Sequence, residues 1–311
     1  MGKEWENQYL SYAQGYDLSN RMPLWVKPAD KLSAQNVMEH MRNHYEGTAL
    51  DTTGKLFPDV GAGASSLPTR YSPIVWSTEK SKADGKQYFN ERTIAQSPTG
   101  WSIVCQSRPD VPRQMAALMW FGIDDSSTSV HFPVYGSITR IPFGWAGPGP
   151  QDGATPPLMN FSLDSAFYVF NLVANYAYSR WDLIYADVHQ EIVEAMYLDM
   201  SEKADATALS MLASGDVDNA VEYLTKFSND IGESLLREWF AFFGRLFVKF
   251  HDGYITTASP EVPVCGCSVS SAGYQNDWYQ RIIDENAELY QVPEKEANTR
   301  VIRKRDLRAF L

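Results

Sequence analysis

The sequence predicts an α+β fold in which antiparallel strands are covered by long helices. Three observations carry this. Residues 71–145 hold short apolar runs separated by Gly, Pro and Asp turns, too closely spaced for helical crossovers between parallel strands. Residues 162–250 repeat apolar side chains every three or four positions, the period of helices with one buried face. Aromatic residues reach 13%, with nine Trp, 17 Tyr and 15 Phe, enough ring area to fill the space between such layers.

In chain order, residues 1–30 are aromatic and irregular, with Pro23 and Pro28 as turn markers, and neither a helix nor a strand is expected there. Residues 33–45 predict a helix. Ser33 is its N-cap, Val37, Met38, Met41 and Tyr45 form its apolar stripe, and Gly47 closes it. His40 and His44 lie four apart on that helix. The run HMRNH lacks the Glu that an HExxH zinc hydrolase uses as its base, so a partly exposed polar pair is expected. Residues 51–70 read as loop, and their GAGASS run lacks the order of a phosphate-binding loop.

Strands are predicted over Pro73–Thr78, Arg92–Gln96, Trp101–Ser107, Ala116–Gly122 and Ser129–Tyr135. Trp101, Ile103 and Cys105 alternate with Ser102, Val104 and Gln106, the mark of a half-buried strand. Ala116 to Phe121 is apolar throughout, the mark of a strand covered on both faces. Asp124, Asp125, Ser126 and Ser127 make a turn. His131 then faces opposite to Val130 and Phe132, near Tyr135 at a strand end, where a structural role is favoured over the lining of a pocket. A Gly- and Pro-rich stretch over 142–157 separates this zone from the helices. Asp164 caps a run through Phe167, Phe170, Val173, Ala177, Trp181, Ile184, Val188, Ile192 and Met196. Asp216 caps a second run from Val217 to Phe250, ended by Gly253, and a shorter helix covers Asp277 to Tyr290. The chain reads as one domain, 1–311.

Charge and composition exclude several function classes. A formal net charge of −11 and a pI near 5.0 repel phosphate backbones, so no nucleic-acid partner is expected. Arg300, Arg303, Lys304, Arg305 and Arg308 form a basic C-terminal cluster, read as a solvated or docked tail. The most apolar stretch, Phe167 to Tyr178, is broken by Asn171 and Asn175, so no membrane span is expected. The opening MGKEWENQYL has no apolar signal-peptide core. Cys105, Cys265 and Cys267 are too few for a disulfide framework and read as strand or loop thiols. Nucleophile-elbow, phosphate-loop and zinc-knuckle patterns do not occur.

Longer stretches carry a resemblance. VKPADKLSAQNVMEHMRNHYEGTALD (26–51), ERTIAQSPTGWSIVCQSRPDVPR (91–113), MWFGIDDSSTSVHFPVYGSITRIPFGW (119–145) and LDSAFYVFNLVANYAYSRW (163–181) follow one another as similar segments do in the C69 cysteine peptidases. That family includes bacterial dipeptidases and is related to the secernins. The resemblance, running from about residue 20 to about residue 255, implies an N-terminal-nucleophile hydrolase with an αββα sandwich. It implies hydrolysis of short peptides by a cysteine that becomes residue 1 after processing, so that its own α-amine activates the thiol. No metal or cofactor is implied.

The chain departs from that pattern at its start, since it opens Met1-Gly2 and carries no cysteine near a terminus. It is therefore expected to be the C-terminal portion of such an enzyme, inactive without the part that bears the nucleophile. A truncated coding sequence ranks ahead of a split protein or a degenerate remnant, and a non-catalytic peptide-binding or structural role is the alternative. Short peptides and the missing N-terminal half are the expected partners, with self-association through unpaired strand edges. Substrate-pocket candidates are Arg92, which could hold a peptide carboxylate bidentately although a structural ion pair is favoured for it, then Arg108, His131, Tyr135 and Asn171, whose amide could equally be structural.

Overall fold

The computed structural model describes residues 3–13, 16–46, 93–146, 159–273 and 276–291. The predicted loop over 51–70, the strand over 73–78, Arg92 and the basic C-terminal cluster lie outside the described residues. The chain divides into two compact units, Met1–Ala272 and Gly273–Leu311. In the second, the described structure is helix α7 (Asn276–Tyr290) with its flanking residues.

The first unit is α+β. Its main sheet runs β1 (Trp101–Ser107), β2 (Ala117–Ile123), β3 (Phe132–Tyr135), in that spatial order and antiparallel throughout. Alternation along β1 follows the pattern, with Ser102 and Val104 buried while Trp101 and Cys105 are exposed. A serine lies inside and a tryptophan outside because Ser102 finds a hydrogen-bond partner there, described below. Strand β2 also alternates. Leu118, Trp120 and Gly122 are buried and the residues between them are partly open, so its wholly apolar sequence does not mean that both faces are covered. Residues 93–96 do not extend into the predicted strand. Ala95 N–H donates to the Asn43 carbonyl at 3.0 Å, and the chain then turns at Thr99.

Helix α1 (Lys3–Ala13) occupies ground expected to be irregular, since neither Pro nor Gly interrupts those residues. Helix α2 (Ala34–His40) begins at the predicted cap. The Ser33 hydroxyl accepts from Asn36 N–H at 3.1 Å, and the Asn36 side chain accepts from Ser33 N–H at 3.0 Å. It ends sooner than the stripe suggests. The backbone reverses at Tyr45 (φ 62°), and His44 is buried off the helix rather than half exposed beside His40.

The expected run from 164 to 196 is three helices: α3 (Ala166–Ser179), α4 (Trp181–Glu191) and α5 (Glu194–Ala213). The breaks fall at Arg180 (φ −152°, ψ 70°) and at Ile192–Val193. Apolar spacing continues across both breaks and so conceals them. Helix α6 (Val217–Phe250) matches its prediction in full, although Asp216 makes no side-chain cap bond. Helix α6 packs on α5, α3 and β3. Phe170 stacks on Trp239 with centroids 5.2 Å apart. Trp145 joins Phe132 (4.4 Å) to Phe170 (5.5 Å) and donates its indole N–H to the Gly232 carbonyl at 2.8 Å. A Cβ at Gly232 would come within 2.8 Å of Pro142 and 3.1 Å of Phe132, so the missing side chain lets α6 lie this close to β3.

After α6 the chain turns through His251–Gly253 into β4 (Tyr254–Ala258), which pairs antiparallel with β5 (Cys267–Ser271). Cys265 and Cys267 are joined as a disulfide rather than standing as free thiols. The intervening Gly266 has φ 62°, a left-handed conformation that glycine adopts without a Cβ penalty. No helix among the described residues is long and apolar enough to cross a membrane.

Candidate functional site

A group of buried polar side chains gathers where β2 passes into β3. Register places Gly122 opposite Ser102. A Cβ on Gly122 would stand 3.1 Å and 3.2 Å from the His131 ring and 2.9 Å from Ser129 Oγ, so the missing side chain makes room for the imidazole. His131 Nε2 lies 2.9 Å from Ser102 Oγ, and its Nδ1 lies 2.6 Å from Glu194 Oε1. The His131 backbone N–H donates to the same oxygen at 2.8 Å. Arg42 Nη2 donates to Glu194 Oε1 at 2.5 Å and to the Ser129 carbonyl at 3.0 Å, while Nη1 donates to the Met38 carbonyl at 3.0 Å. A carboxylate against Nδ1 assigns a ring proton to that nitrogen, and Nε2 shares a hydrogen bond with the Ser102 hydroxyl.

Burial alone would raise the pKa of Glu194. The hydrogen bond from His131 and the charge of Arg42 outweigh it and hold the carboxyl below its ordinary range. Glu194 also sits in the first turn of α5, where the helix dipole favours an anion. The order Ser102–His131–Glu194 has the connectivity of a nucleophilic relay. Its members are nevertheless sealed, at 3%, 0% and 5% exposure. In this conformation the group ties β1, the approach to β3, α2 and α5 together without meeting a substrate.

The connection between β2 and β3 is itself buried from Asp124 to His131, unusual for a loop. The Asp125 carboxylate accepts from the Ser127 N–H (2.9 Å), the Ser127 hydroxyl (2.8 Å) and the Tyr178 hydroxyl. Asp124, at φ 66°, accepts from the Asn171 amide at 3.0 Å and 3.2 Å. The Ser126 hydroxyl donates to the Met41 carbonyl at 2.7 Å. The predicted turn is present, and Asp124, Asp125, Ser126 and Ser127 are inside because α3, Met41 just after α2 and the turn itself supply their partners.

A second polar group lies at the other end of β3. The Tyr135 hydroxyl donates to Asp205 at 2.7 Å, Arg108 pairs with the same carboxylate, and the guanidinium sits 5.6 Å from the centre of the Tyr135 ring. Burial first, then the hydrogen bond to Asp205 and its charge, push the Tyr135 phenol well above its usual pKa.

Of the sequence-predicted site residues, Arg108 and Tyr135 thus meet at Asp205, while His131 and Asn171 attach to the β2–β3 connection. Arg92 lies outside the described residues. His131 does not stand on β3 beside Tyr135. It precedes the strand and is buried, as are Val130 and Phe132. Sequence reasoning missed Ser102, Arg42, Glu194 and Asp205. Ser102 and Gly122 were visible as small residues within apolar strands, but their shared partner, 29 residues from Ser102, was not. Among the described residues, no three His, Cys, Asp or Glu side chains gather as a metal ion would need.

No curated protein matches the chain. The sequence model of peptidase family C69 matches residues 3–194, well over half of the 311 and a span that holds β1–β3, the buried connection and the whole Arg42–Glu194 group. The chain belongs to peptidase family C69.

Proposed function

We propose that the chain is part of a dipeptidase of the cysteine N-terminal-nucleophile type, and that its nucleophile lies outside these 311 residues. The observation that carries this reading is the C69 match over residues 3–194. None of the three cysteines suits the role. Cys105 is in the middle of β1, and Cys265 and Cys267 are bonded to each other. An N-terminal thiol with its own amine as base needs a chain end, not a strand interior. The antiparallel sheet also fits one layer of an αββα sandwich. The face bearing Trp101, Ile103 and Cys105 is the more open one, as it would be if a second sheet belonged against it. Short peptides are the proposed substrates, with Arg92 as the proposed carboxylate-binding group.

The purified chain is expected to release no amino acid from a panel of dipeptides. Joined to an in-frame upstream segment beginning with a processed cysteine, it is expected to release them. Turnover by the chain alone that survives replacement of every cysteine would sink the mechanism. The second reading, a non-catalytic member of the family, is favoured by the same three unsuitable cysteines. A stop codon directly upstream of the Met1 codon would decide for it.

A further inference from the structure

Helix α6 delivers its C-terminus to a cavity that the groups above do not use. The cavity measures about 300 Å3 and is walled by Tyr176, Arg180, Phe247, His251, Asp252 and Tyr254, a size suited to a small organic molecule. Phe247 is 53% and Tyr254 49% exposed. Tyr176 and Phe247 have centroids 5.9 Å apart, and Phe247 continues onto His251 at 6.4 Å. Together these rings make one aromatic wall open to water.

The polar side of the cavity is negative. The end of a 34-residue helix presents the negative pole of its dipole. Asp252 and Gly253 both adopt left-handed backbone (φ 55° and 75°), a sharp reversal, and Asp252 lines the cavity. Its charge is close enough to help raise the pKa of the Tyr176 phenol, after burial. His251 Nδ1 donates to the Val248 carbonyl at 2.7 Å, which fixes the orientation of its ring beside Phe247. Of the cations, Arg180 lines the cavity but is paired with Asp182 at 3.0 Å, and Lys249 beside it is paired with Asp187 at 2.6 Å.

We propose that this cavity binds a small organic ammonium ion carried on an aromatic or bulky apolar body. Asp252 and the helix terminus take the ammonium, and Tyr176, Phe247 and Tyr254 take the body, with a ring face toward the cation. An anion on the same body meets the Asp252 charge and the negative helix end, and the Arg180 guanidinium is already paired with Asp182.

Calorimetric titration of the full chain with phenethylammonium tests this, with phenylacetate as the probe of like shape and opposite charge. Saturable binding of the ammonium with a Kd on the order of 1 mM is expected, and none of phenylacetate. Asp252→Asn is expected to weaken binding about tenfold, because Asn tolerates left-handed backbone as well as Asp does and the fold is kept. Phe247→Leu, at an exposed ring, is expected to weaken it about threefold. No saturable binding, equal binding of phenylacetate, or an Asp252→Asn protein that binds like the parent would each overturn the proposal.

Discussion

The two ends of β3 hold the same chemical parts and use them differently. At one end Arg42, Glu194 and His131 are closed off from water. At the other, Arg108 and Asp205 meet Tyr135 with side chains 15% and 24% exposed. In both, one carboxylate gathers an arginine and an aromatic donor. In the closed group each charge has only its neighbours to replace water, so losing one strands the others. In the open group water can take over part of each hydrogen bond. An ion pair in this fold therefore matters according to what surrounds it, and its length says little.

The largest effect is expected from Glu194→Gln, which leaves the Arg42 guanidinium without its anion. A loss of about 3 kcal/mol is expected, read as a fall in Tm of roughly 2–4 °C per kcal/mol. The acid limb sharpens this. The Glu194 carboxyl is held low in the folded chain, so its contribution is complete above the ordinary carboxylate pKa, about 4.3. It is lost as pH falls through the lower, folded value. Parent and Glu194→Gln melting curves should converge as pH drops below about 4, and a gap that widened there would contradict the assignment.

Gly122→Ala comes next, at about 1–3 kcal/mol, because a methyl there presses on His131 and Ser129. Adding Ser129→Ala in the same chain should recover part of the loss, and strict additivity of the two changes would show that the contact is not shared. The smallest of the three is Asp205→Asn, about 1–2 kcal/mol by the same melting measurement, since the amide still accepts from Tyr135 and water reaches Arg108. An Asp205→Asn loss equal to that of Glu194→Gln would erase the distinction between the two ends.

What the sequence made legible was what one element can show by itself. Helix α6 could be read from end to end because its apolar stripe keeps one face, and β1 because its residues alternate from Trp101 to Cys105. The Ser33 cap could be read from a local pattern. The division into α3, α4 and α5 could not, because Arg180 and Ile192 break the backbone without breaking the apolar period. The sealed group was hidden for a different reason. Arg42, Ser102, His131 and Glu194 come from four separate stretches, and each alone is an ordinary polar residue. Only the fold brings them together, and only Gly122, by having no side chain, leaves the room. Tyr135 and Arg108 were singled out, while Asp205, which joins them, lay in a stretch of α5 with no pattern to mark it.

Helix α6 has a mechanical consequence. At 1.5 Å per residue its 34 residues extend about 51 Å, and along that length it touches α3, α4, α5, β3 and β4. None of these five elements can loosen far without losing a stretch of this one rod, and the rod cannot fray past its ends without releasing several of them together. Amide protons at its centre should therefore exchange only when the whole body opens, making α6 the natural gauge of how cooperatively that body holds together.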